Sequence, residues 1–364
     1  MPSTTVGRVP EYRVEYIPEP EPLPGELESR KLKRRVVTVA IALAVVGLIA
    51  AFAPGLGQVR ERLADAQPGW LALAVLLELG SCLSYVLMFK PIFCRRMTWR
   101  TSYELGMSEL AAGSLVPASG AAGLALGAWA LRKSGMSAED IARRSVAFFV
   151  LKSGANFVAV AVLGILMFAG VGPHVSPLLT VLPAILAIAT IGLVALAPQL
   201  TGRVTRGPSW VAAAVAALDQ GVHEAGRILR RRDWMVIAGS LGYWAFDNFV
   251  LWATFHAFGE SPHITLVLMG YLIGQLGGLL PIPGGIGGID GGLIGTLIVY
   301  GIPAAPTAAA VFAYRLILFW LPLLLGGAAF AALRRGLDDP ERVDLCDPLR
   351  RPARRRRDAL PTSA

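Results

Sequence analysis

The sequence predicts an all-α integral membrane protein, with about six full spans and two re-entrant helical hairpins arranged as an inverted repeat. Composition is the first observation: 54% of the 364 residues are hydrophobic and 16% are charged, whereas soluble chains carry about 25% charged residues. Long apolar runs are the second, because about 20 residues cross the roughly 30 Å hydrocarbon layer of a membrane. The runs lie at 36–53, 70–93, 104–131, 145–170, 174–197, 234–258, 264–300 and 306–333.

Both ends of the chain are polar and basic. Residues 1–35 are rich in proline and glutamate and close with the cluster RKLKRR, which predicts a disordered arm. Residues 334–364 form a second basic segment that contains RRPARRRR. Lys and Arg accumulate on the cytoplasmic side of membrane proteins, so we predict that both ends are cytoplasmic. Basic segments beside spans face anionic lipid, so no nucleic-acid partner is expected.

Two of the apolar runs are interrupted. VPASG breaks residues 104–131, and PIPGG breaks residues 264–300. Each half of the first run has about 13 residues, which form roughly 20 Å of helix and are too short to cross the bilayer. Each run is therefore either one kinked span or a re-entrant hairpin that enters and leaves on one face.

The distribution of basic residues favours the hairpins. The basic groups that begin at Arg95 and at Arg132 both lie inside only if residues 104–131 form a hairpin. Three short segments contain no Lys or Arg and are predicted to lie outside: 171–173, 259–263 and 301–305. The two hairpins then enter from opposite faces, which makes residues 70–170 and 234–333 an inverted repeat.

The local sequence supports this repeat. AFFVLK ends at Lys152 after the first hairpin, and AVFAYR ends at Arg315 after the second. The two cations therefore fall at matching positions of the two halves. The excess of Arg over Lys, together with the many Ala and Gly residues, is typical of a GC-rich bacterium, so we predict a multi-pass protein of a bacterial cell membrane.

Residues 198–233 form the long cytoplasmic segment between the repeats. Apolar residues recur there on one helical face: Val211, Val215, Leu218, Val222, Ala225 and Leu229. We expect an interfacial helix that lies on the inner leaflet. A docking site for a partner enzyme is the alternative.

The breaks in the two hairpins place helix N-termini inside the bilayer. The second half-helices are predicted to begin near Ser119–Gly120 and near Gly284–Gly285. A helix N-terminus offers unpaired N–H groups and a partial positive charge, which suit an anion such as phosphate, and glycine lets a ligand approach the backbone. The alternative is a close helix-packing seam of Gly284, Gly288 and Gly292.

Ionisable residues lie within the apolar runs, where each costs about 2.5–3.5 kcal/mol at the bilayer centre. They are Glu78, Glu109, Lys152, Asp247, Asp290 and Arg315. One interpretation is structural, with Lys152 and Arg315 in salt bridges to Glu109 and Asp290. The other interpretation is that these residues line a polar path for an anionic headgroup.

The second broken run carries a recognisable motif. LLPIPGGIGGIDGGLIGTLIVYGIP followed by AAAVFAYRLILFWLPLLLGG resembles the C-terminal signature of the lysylphosphatidylglycerol synthase transmembrane region, the flippase-like domain of the multiple peptide resistance factor. The resemblance is specific across 275–327 and implies that Asp290 is the family acid and Tyr314–Arg315 its Tyr-Arg pair. Relatives more usually carry glutamate where this chain has Asp290, and often arginine where it has Lys152, so the identity of the lipid headgroup stays open.

The resemblance and the residues together lead us to expect translocation of an anionic phospholipid or a polyprenyl-phosphate-linked lipid between leaflets. The predicted headgroup path consists of Lys152, Arg315, Asp290, Gly284, Gly285, Ser119, Gly120, Tyr314, Glu109 and Asp247. The alternatives are a non-transporting membrane partner of a lipid- or glycan-modifying enzyme, and a carrier of small anions.

No enzymatic activity is expected of this chain. Only about 30 residues follow the last apolar run, too few for the soluble catalytic domain that the synthase adds. The cysteines and histidines show no metal-ligand spacing, so no metal or cofactor is expected either.

Overall fold

The computed structural model describes Val37, Ile41 and residues 65–115, 121–201, 209–276 and 287–337. From residue 65 onward, every regular element in these ranges is a helix, so the all-α prediction is confirmed there. In chain order the helices are α1 (Pro68–Phe93), α2 (Trp99–Leu115), α3 (Ala121–Lys133), α4 (Ala138–Phe168), α5 (Pro177–Thr201), α6 (Ser209–Arg230), α7 (Trp234–Ala257), α8 (Ile264–Gly274), α9 (Gly288–Val299) and α10 (Ala304–Leu337).

Four of the described helices are long and apolar enough to cross a membrane. They are α1, α4, the first 20 residues of α5, and α10. Helix α7 has a comparable length of 24 residues, but Asp247 and Asn248 lower the hydropathy at its middle. The predicted span at 36–53 lies outside the described residues except for Val37 and Ile41. The count of six spans therefore stays a prediction.

The two interrupted runs form two pairs of short helices. Helices α2 and α3 pack against each other, and so do α8 and α9. Their lengths are 17, 13, 11 and 12 residues, so none of the four is among the span-length helices. A Cβ at Gly292 would lie 2.5 Å from the carbonyl oxygen of Gly274, so α8 and α9 touch backbone to backbone. This contact agrees with the packing interpretation at Gly292, whereas Gly284 lies outside the described residues.

The ends of several helices are set by local chemistry. The Ser137 hydroxyl caps α4 by accepting a hydrogen bond from the N–H of Asp140 at 3.1 Å, and Asp233 caps α7 in the same way. Gly135 and Gly170 follow α3 and α4 with φ of +95°. Glycine adopts this left-handed conformation without a steric cost, so the chain reverses at both points.

The centre of the bundle is the crossing of α1 with α7. A Cβ at Gly239 of α7 would lie 2.7 Å from the carbonyl oxygen of Ser84 on α1. Helix α10 approaches α2 equally closely, because a Cβ at Gly326 would lie 2.3 Å from the carbonyl oxygen of Met107. Glycines at these crossings thus let the helix backbones approach each other closely. Helices α4, α5 and α6 pack against one another at the side of this centre.

The basic loops gather at one end of the bundle. Arg95, after α1, forms an ion pair with Asp233, before α7. Arg144, near the start of α4, donates a hydrogen bond to the carbonyl of Phe93 at the end of α1. Leu333, near the end of α10, is buried in the same apolar cluster as Phe93. This grouping agrees with the distribution of charge in the sequence, although the side of the membrane that this end faces stays a prediction.

The segment between the repeats forms helix α6, as its periodicity predicts. It packs against α4 and α5, and a Cβ at Gly221 would lie 2.4 Å from the side chain of Val146 on α4. Leu218 and Leu229 on this helix are exposed. Its position on the inner leaflet stays a prediction, because the contacts described here lie within the protein.

Candidate functional site

Four long helices carry an ionisable side chain well inside their length. Glu78 lies on α1, Lys152 on α4, Asp247 on α7 and Arg315 on α10. An ionisable group at the centre of a bilayer costs about 2.5–3.5 kcal/mol. The packing of the helices must therefore supply partners for these groups, and the partners differ from one residue to the next.

Arg315 meets Asp290 at the start of α9. The Arg315 Nε lies 2.7 Å from the Asp290 Oδ1, and the two side chains are 13% and 25% exposed. The other carboxylate oxygen accepts a hydrogen bond of 2.8 Å from the backbone N–H of Gly287. Gly287 has φ of +87°, a conformation that glycine tolerates best. The Asp290 carboxylate thus contacts both a cation and the N-terminus of a helix, and the ion pair is the one predicted from the sequence.

Asp247 lies within electrostatic reach of the cations from both halves. The hydroxyl of Tyr271 on α8 donates a hydrogen bond to its carboxylate. The fully buried ring of Tyr314 packs edge-on against Tyr271, with centroids 6.2 Å apart. Arg315 and Lys152 both attract the Asp247 carboxylate. Asp247 therefore links the two cations that occupy matching positions in the sequence.

Lys152 has aromatic neighbours instead of a carboxylate. Its Nζ lies 5.7 Å from the ring centroids of both Tyr85 and Tyr243. In the described part of the chain, no carboxylate oxygen lies within 4.0 Å of this ammonium group. The charges of Glu109 and Asp247 act on it from farther away. The direct Lys152–Glu109 salt bridge of the structural interpretation does not form, because the Tyr85 hydroxyl donates a 3.0 Å hydrogen bond to Glu109 instead.

Glu109 fits against α3 because glycine leaves room for it. A Cβ at Gly127 would lie 2.6 Å from the Glu109 Oε2, and a Cβ at Gly123 would lie 2.4 Å from the Glu109 carbonyl oxygen. Larger residues at either position would force the carboxylate or the helix backbone to move. The glycines of the first helix pair therefore hold an acid from α2 against α3.

The structure describes six of the ten residues predicted for the headgroup path. Five of them lie on the helices α4, α7, α9 and α10, of which α10 packs against both α7 and α9: Lys152, Asp247, Asp290, Tyr314 and Arg315. Glu109 joins them through its contact with Tyr85, which lies beside Lys152. The remaining four, Ser119, Gly120, Gly284 and Gly285, lie outside the described residues. The binding roles of all ten stay predictions.

Three tyrosines that contact these charges were not predicted from the sequence. Tyr85 and Tyr243 flank Lys152, and Tyr271 donates to Asp247. A usable signal was present, because a tyrosine within an apolar helix buries a hydroxyl that needs a partner. Tyr243 also precedes Asp247 by one helical turn, which places both on one face.

Comparisons with known proteins agree with the motif. The family described as "Lysylphosphatidylglycerol synthase TM region" matches residues 37–326. A UPF0104 membrane protein of Methanothermobacter thermautotrophicus is 23% identical over 322 residues, which cover 81% of this chain and 93% of that protein. A second alignment to a protein of that name and organism is 40% identical over 88 residues, or 24% of this chain and 25% of the relative.

Other alignments are also short. A UPF0104 membrane protein of Methanocaldococcus jannaschii is 31% identical over 112 residues, which cover 30% of this chain and 33% of the relative. Another alignment to Methanothermobacter thermautotrophicus, at 31% identity, spans 29% of the relative's length. These names describe membrane proteins and state no substrate.

Proposed function

The chain belongs to the lysylphosphatidylglycerol synthase transmembrane-region family, and from this premise we propose that it translocates an anionic lipid between membrane leaflets. The cargo is a phospholipid or a polyprenyl-phosphate-linked lipid. Its phosphate passes along the path of Lys152, Asp247 and Arg315, while its acyl chains stay in the bilayer. The chain acts as a transporter and not as an enzyme.

The observation that carries this proposal is the environment of Lys152. The ammonium lies over two tyrosine rings, with no carboxylate within 4.0 Å in the described residues. Cation–π contacts are worth about 0.5–2 kcal/mol, whereas the charge costs about 2.5–3.5 kcal/mol at the bilayer centre. The cation thus has no direct anionic partner in the described residues, since Glu109 and Asp247 act on it from farther away, and the residue is partly exposed. An anion that reached it would be stabilised.

Asp290 supports the proposal because it occupies the groups that a phosphate would use. Its carboxylate contacts the Arg315 guanidinium and the N-terminal backbone of α9 at the same time. Both groups bind phosphate well, the first through its planar fork of donors and the second through its N–H groups. Asp290 therefore acts as an internal anion, and a lipid phosphate displaces it from Arg315.

The inverted repeat belongs to the same proposal. Each half contains a long helix, a pair of short helices and a second long helix that bears a cation. The pairs α2–α3 and α8–α9 are the re-entrant hairpins, and their entry from opposite faces gives the phosphate access from either leaflet. The end that gathers the basic loops faces the cytoplasm, which places both chain termini inside.

Reconstitution tests the proposal directly. Vesicles of phosphatidylcholine that contain fluorescent phosphatidylglycerol report exchange between leaflets when a membrane-impermeant quencher is added. We expect the protein to speed the exchange of phosphatidylglycerol more than that of phosphatidylcholine. Failure to move any anionic lipid would refute translocation and favour a non-transporting partner of a lipid- or glycan-modifying enzyme.

Lys152→Gln identifies the path within this assay, and Lys90→Gln is its matched control. Lys90 also lies over an aromatic ring, 4.3 Å from the centroid of Trp99, but near the end of α1. We expect Lys152→Gln to lower exchange by about tenfold or more, the equivalent of one charge-assisted hydrogen bond, and Lys90→Gln to leave it unchanged. Equal effects of the two variants would exclude Lys152 from the path.

A further inference from the structure

A pair of buried carboxyl groups lies where α1 crosses α7. A Cβ at Gly80 would lie 3.2 Å from the ring of Phe246, and a Cβ at Gly242 would lie 2.5 Å from the Ser84 hydroxyl, so the antiparallel helices α1 and α7 bring Glu78 level with Asp247. Glu78 is 3% exposed and Asp247 is 7% exposed. The two carboxyl groups repel each other, and both act on the hydroxyl of Tyr243. We refer to Glu78 and Asp247 as the acidic pair.

Two polar atoms at the acidic pair have unused hydrogen-bonding capacity. The Glu78 Oε1 accepts a weak contact of 3.7 Å from the Cys82 thiol, but the Glu78 Oε2 has no hydrogen-bond partner among the described residues. The hydroxyl of Tyr314, which is fully buried, reaches toward Asp247 without forming a hydrogen bond of normal length. A buried polar atom without a hydrogen-bond partner costs about 1–3 kcal/mol, so the hydrogen bonding around the acidic pair is incomplete.

The charged groups around the acidic pair act differently on its two members. The titratable and charged groups that face it are Cys82 of α1, Lys152 of α4, Tyr243 of α7, Tyr271 of α8, and Tyr314 and Arg315 of α10. Lys152 and Arg315 attract Asp247, whereas no described cation compensates Glu78. Glu109 of α2 faces Lys152 instead of the pair. Two adjacent buried carboxylates cannot both be charged at low cost, so the pair shares at least one proton, and the two cations favour the charge on Asp247 and the proton on Glu78.

We propose that the acidic pair binds protons and that proton uptake there is linked to anion binding at Lys152 and Arg315. This inference rests on the proposed headgroup path. A phosphate on the two cations cancels the field that keeps Asp247 ionised, so Asp247 takes up a proton from the aqueous phase and releases it when the phosphate leaves. Linkage is reciprocal, so a lower pH tightens anion binding in turn.

The ligand of the pair is a proton and not a metal ion. Mg²⁺ takes about six ligands and Ca²⁺ about six to eight, mostly oxygens. Among the residues that the structure describes, no group of three or more His, Cys, Asp or Glu side chains could hold a metal. A single proton needs only the two carboxyl groups that are present.

Infrared spectroscopy of the full chain in detergent tests the proton site without any lipid transport. We expect the protonated-carboxyl band at neutral pH to lose one component in Glu78→Gln and to keep it in Glu78→Asp. The control is Glu104→Gln, because Glu104 is equally buried but pairs with Arg100 at 2.8 Å. The same band in the wild type and in Glu78→Gln would overturn the assignment of the proton to Glu78.

Exchange of phosphatidylglycerol under an imposed pH difference tests the linkage. We expect the difference to change the wild-type exchange rate by about fivefold or more, the lower range of measured allosteric couplings. Asp247→Asn should lose this response whatever its basal rate, because it removes the carboxylate that takes up the proton. Glu78→Gln should keep the response, because glutamine replaces a carboxyl group that already holds a proton. An Asp247→Asn variant that keeps the response would overturn the linkage.

The outcomes separate the two proposals. A wild-type rate that ignores the pH difference, or that responds to a sodium difference instead, would overturn the linkage even if the carboxyl band is present. A wild type that moves no anionic lipid would refute the proposed function and with it the linkage, whereas the infrared band still decides whether Glu78 holds a proton.

Discussion

Removing both charges of the Arg315–Asp290 pair distinguishes a structural salt bridge from a ligand site. We choose Arg315→Met with Asp290→Asn. Methionine keeps most of the length of the side chain without its charge, and asparagine keeps an oxygen that can accept the hydrogen bond from Gly287, now 2.8 Å long. The start of α9 therefore stays capped in the double variant.

The expected stabilities follow from the exposure of the pair. Breaking a fully buried ion pair by removing one partner costs about 3–5 kcal/mol. Arg315 and Asp290 are 13% and 25% exposed, so solvent screens them, and we expect Arg315→Met alone to lower the free energy of unfolding by only about 1–3 kcal/mol. The double variant should recover most of this loss, because no charge is left unpaired.

The expected loss of transport follows from the contact with phosphate. A hydrogen bond to a charged group contributes about 1.5–3 kcal/mol, and 1.4 kcal/mol corresponds to a factor of ten. The double variant should therefore exchange phosphatidylglycerol about 10- to 100-fold more slowly than the wild type. Arg315→Lys should fall between them, because lysine keeps the charge but loses the planar fork of donors.

Two measurements on each variant decide the matter. Thermal unfolding in detergent reports stability, and exchange in vesicles, normalised to folded protein, reports transport. A double variant that is as stable and as active as the wild type would remove Arg315 from the path and leave the pair without a role in transport. A double variant that fails to fold would show that the pair is needed for structure.

Three further predictions address topology, packing and the tyrosine network. Ser137 and Ala304 are both exposed, and cysteines placed there should react with an impermeant reagent from opposite sides of sealed cells. The unmodified chain gives the background labelling, and labelling of both sites from one side would end the inverted-repeat hypothesis. Gly292→Val should lower the free energy of unfolding by about 1–3 kcal/mol, because its Cβ would lie 2.5 Å from the backbone of α8. Gly291→Ala faces open space and should be tolerated, so equal unfolding temperatures for the two variants would contradict this packing. Tyr85→Phe should cost about 1–3 kcal/mol of stability by leaving its buried acceptor unsatisfied, and an unfolding temperature equal to that of the wild type would show that water or another group replaces the hydroxyl.

The breaks in the apolar runs were predictable because glycine and proline act locally. Proline and glycine weaken a helix wherever they occur, so VPASG and PIPGG marked the interruptions without any knowledge of the fold. The structure places short helices on both sides of each interruption, α2 and α3 around the first and α8 and α9 around the second. The residues of the breaks themselves, including Gly284 and Gly285, lie outside those that the structure describes.

The Arg315–Asp290 pair was predictable because the two residues are close along the chain. A single turn separates α9 from α10, so few arrangements could keep the two charges apart. Lys152 was harder to place, because its nearest contacts are Tyr85 on α1 and Tyr243 on α7, which are distant in sequence. Periodicity shows which face of a helix a residue lies on, but not which helix that face meets.

The sequence by itself determined the class of the protein, the ionisable residues inside its apolar runs and the family to which it belongs. These follow from composition, local helix chemistry and a specific motif, all of which are readable along the chain. Only the tertiary structure decided that Glu78 lies level with Asp247, that Lys152 lies over tyrosines and that Glu109 fits against α3. Such contacts depend on where two helices cross, and small residues such as Gly80 and Gly127 set those crossings by letting the backbones approach. The free energy of a buried charge depends on the groups within a few ångströms of it, so the partners of these charges could be known only once the helices were packed.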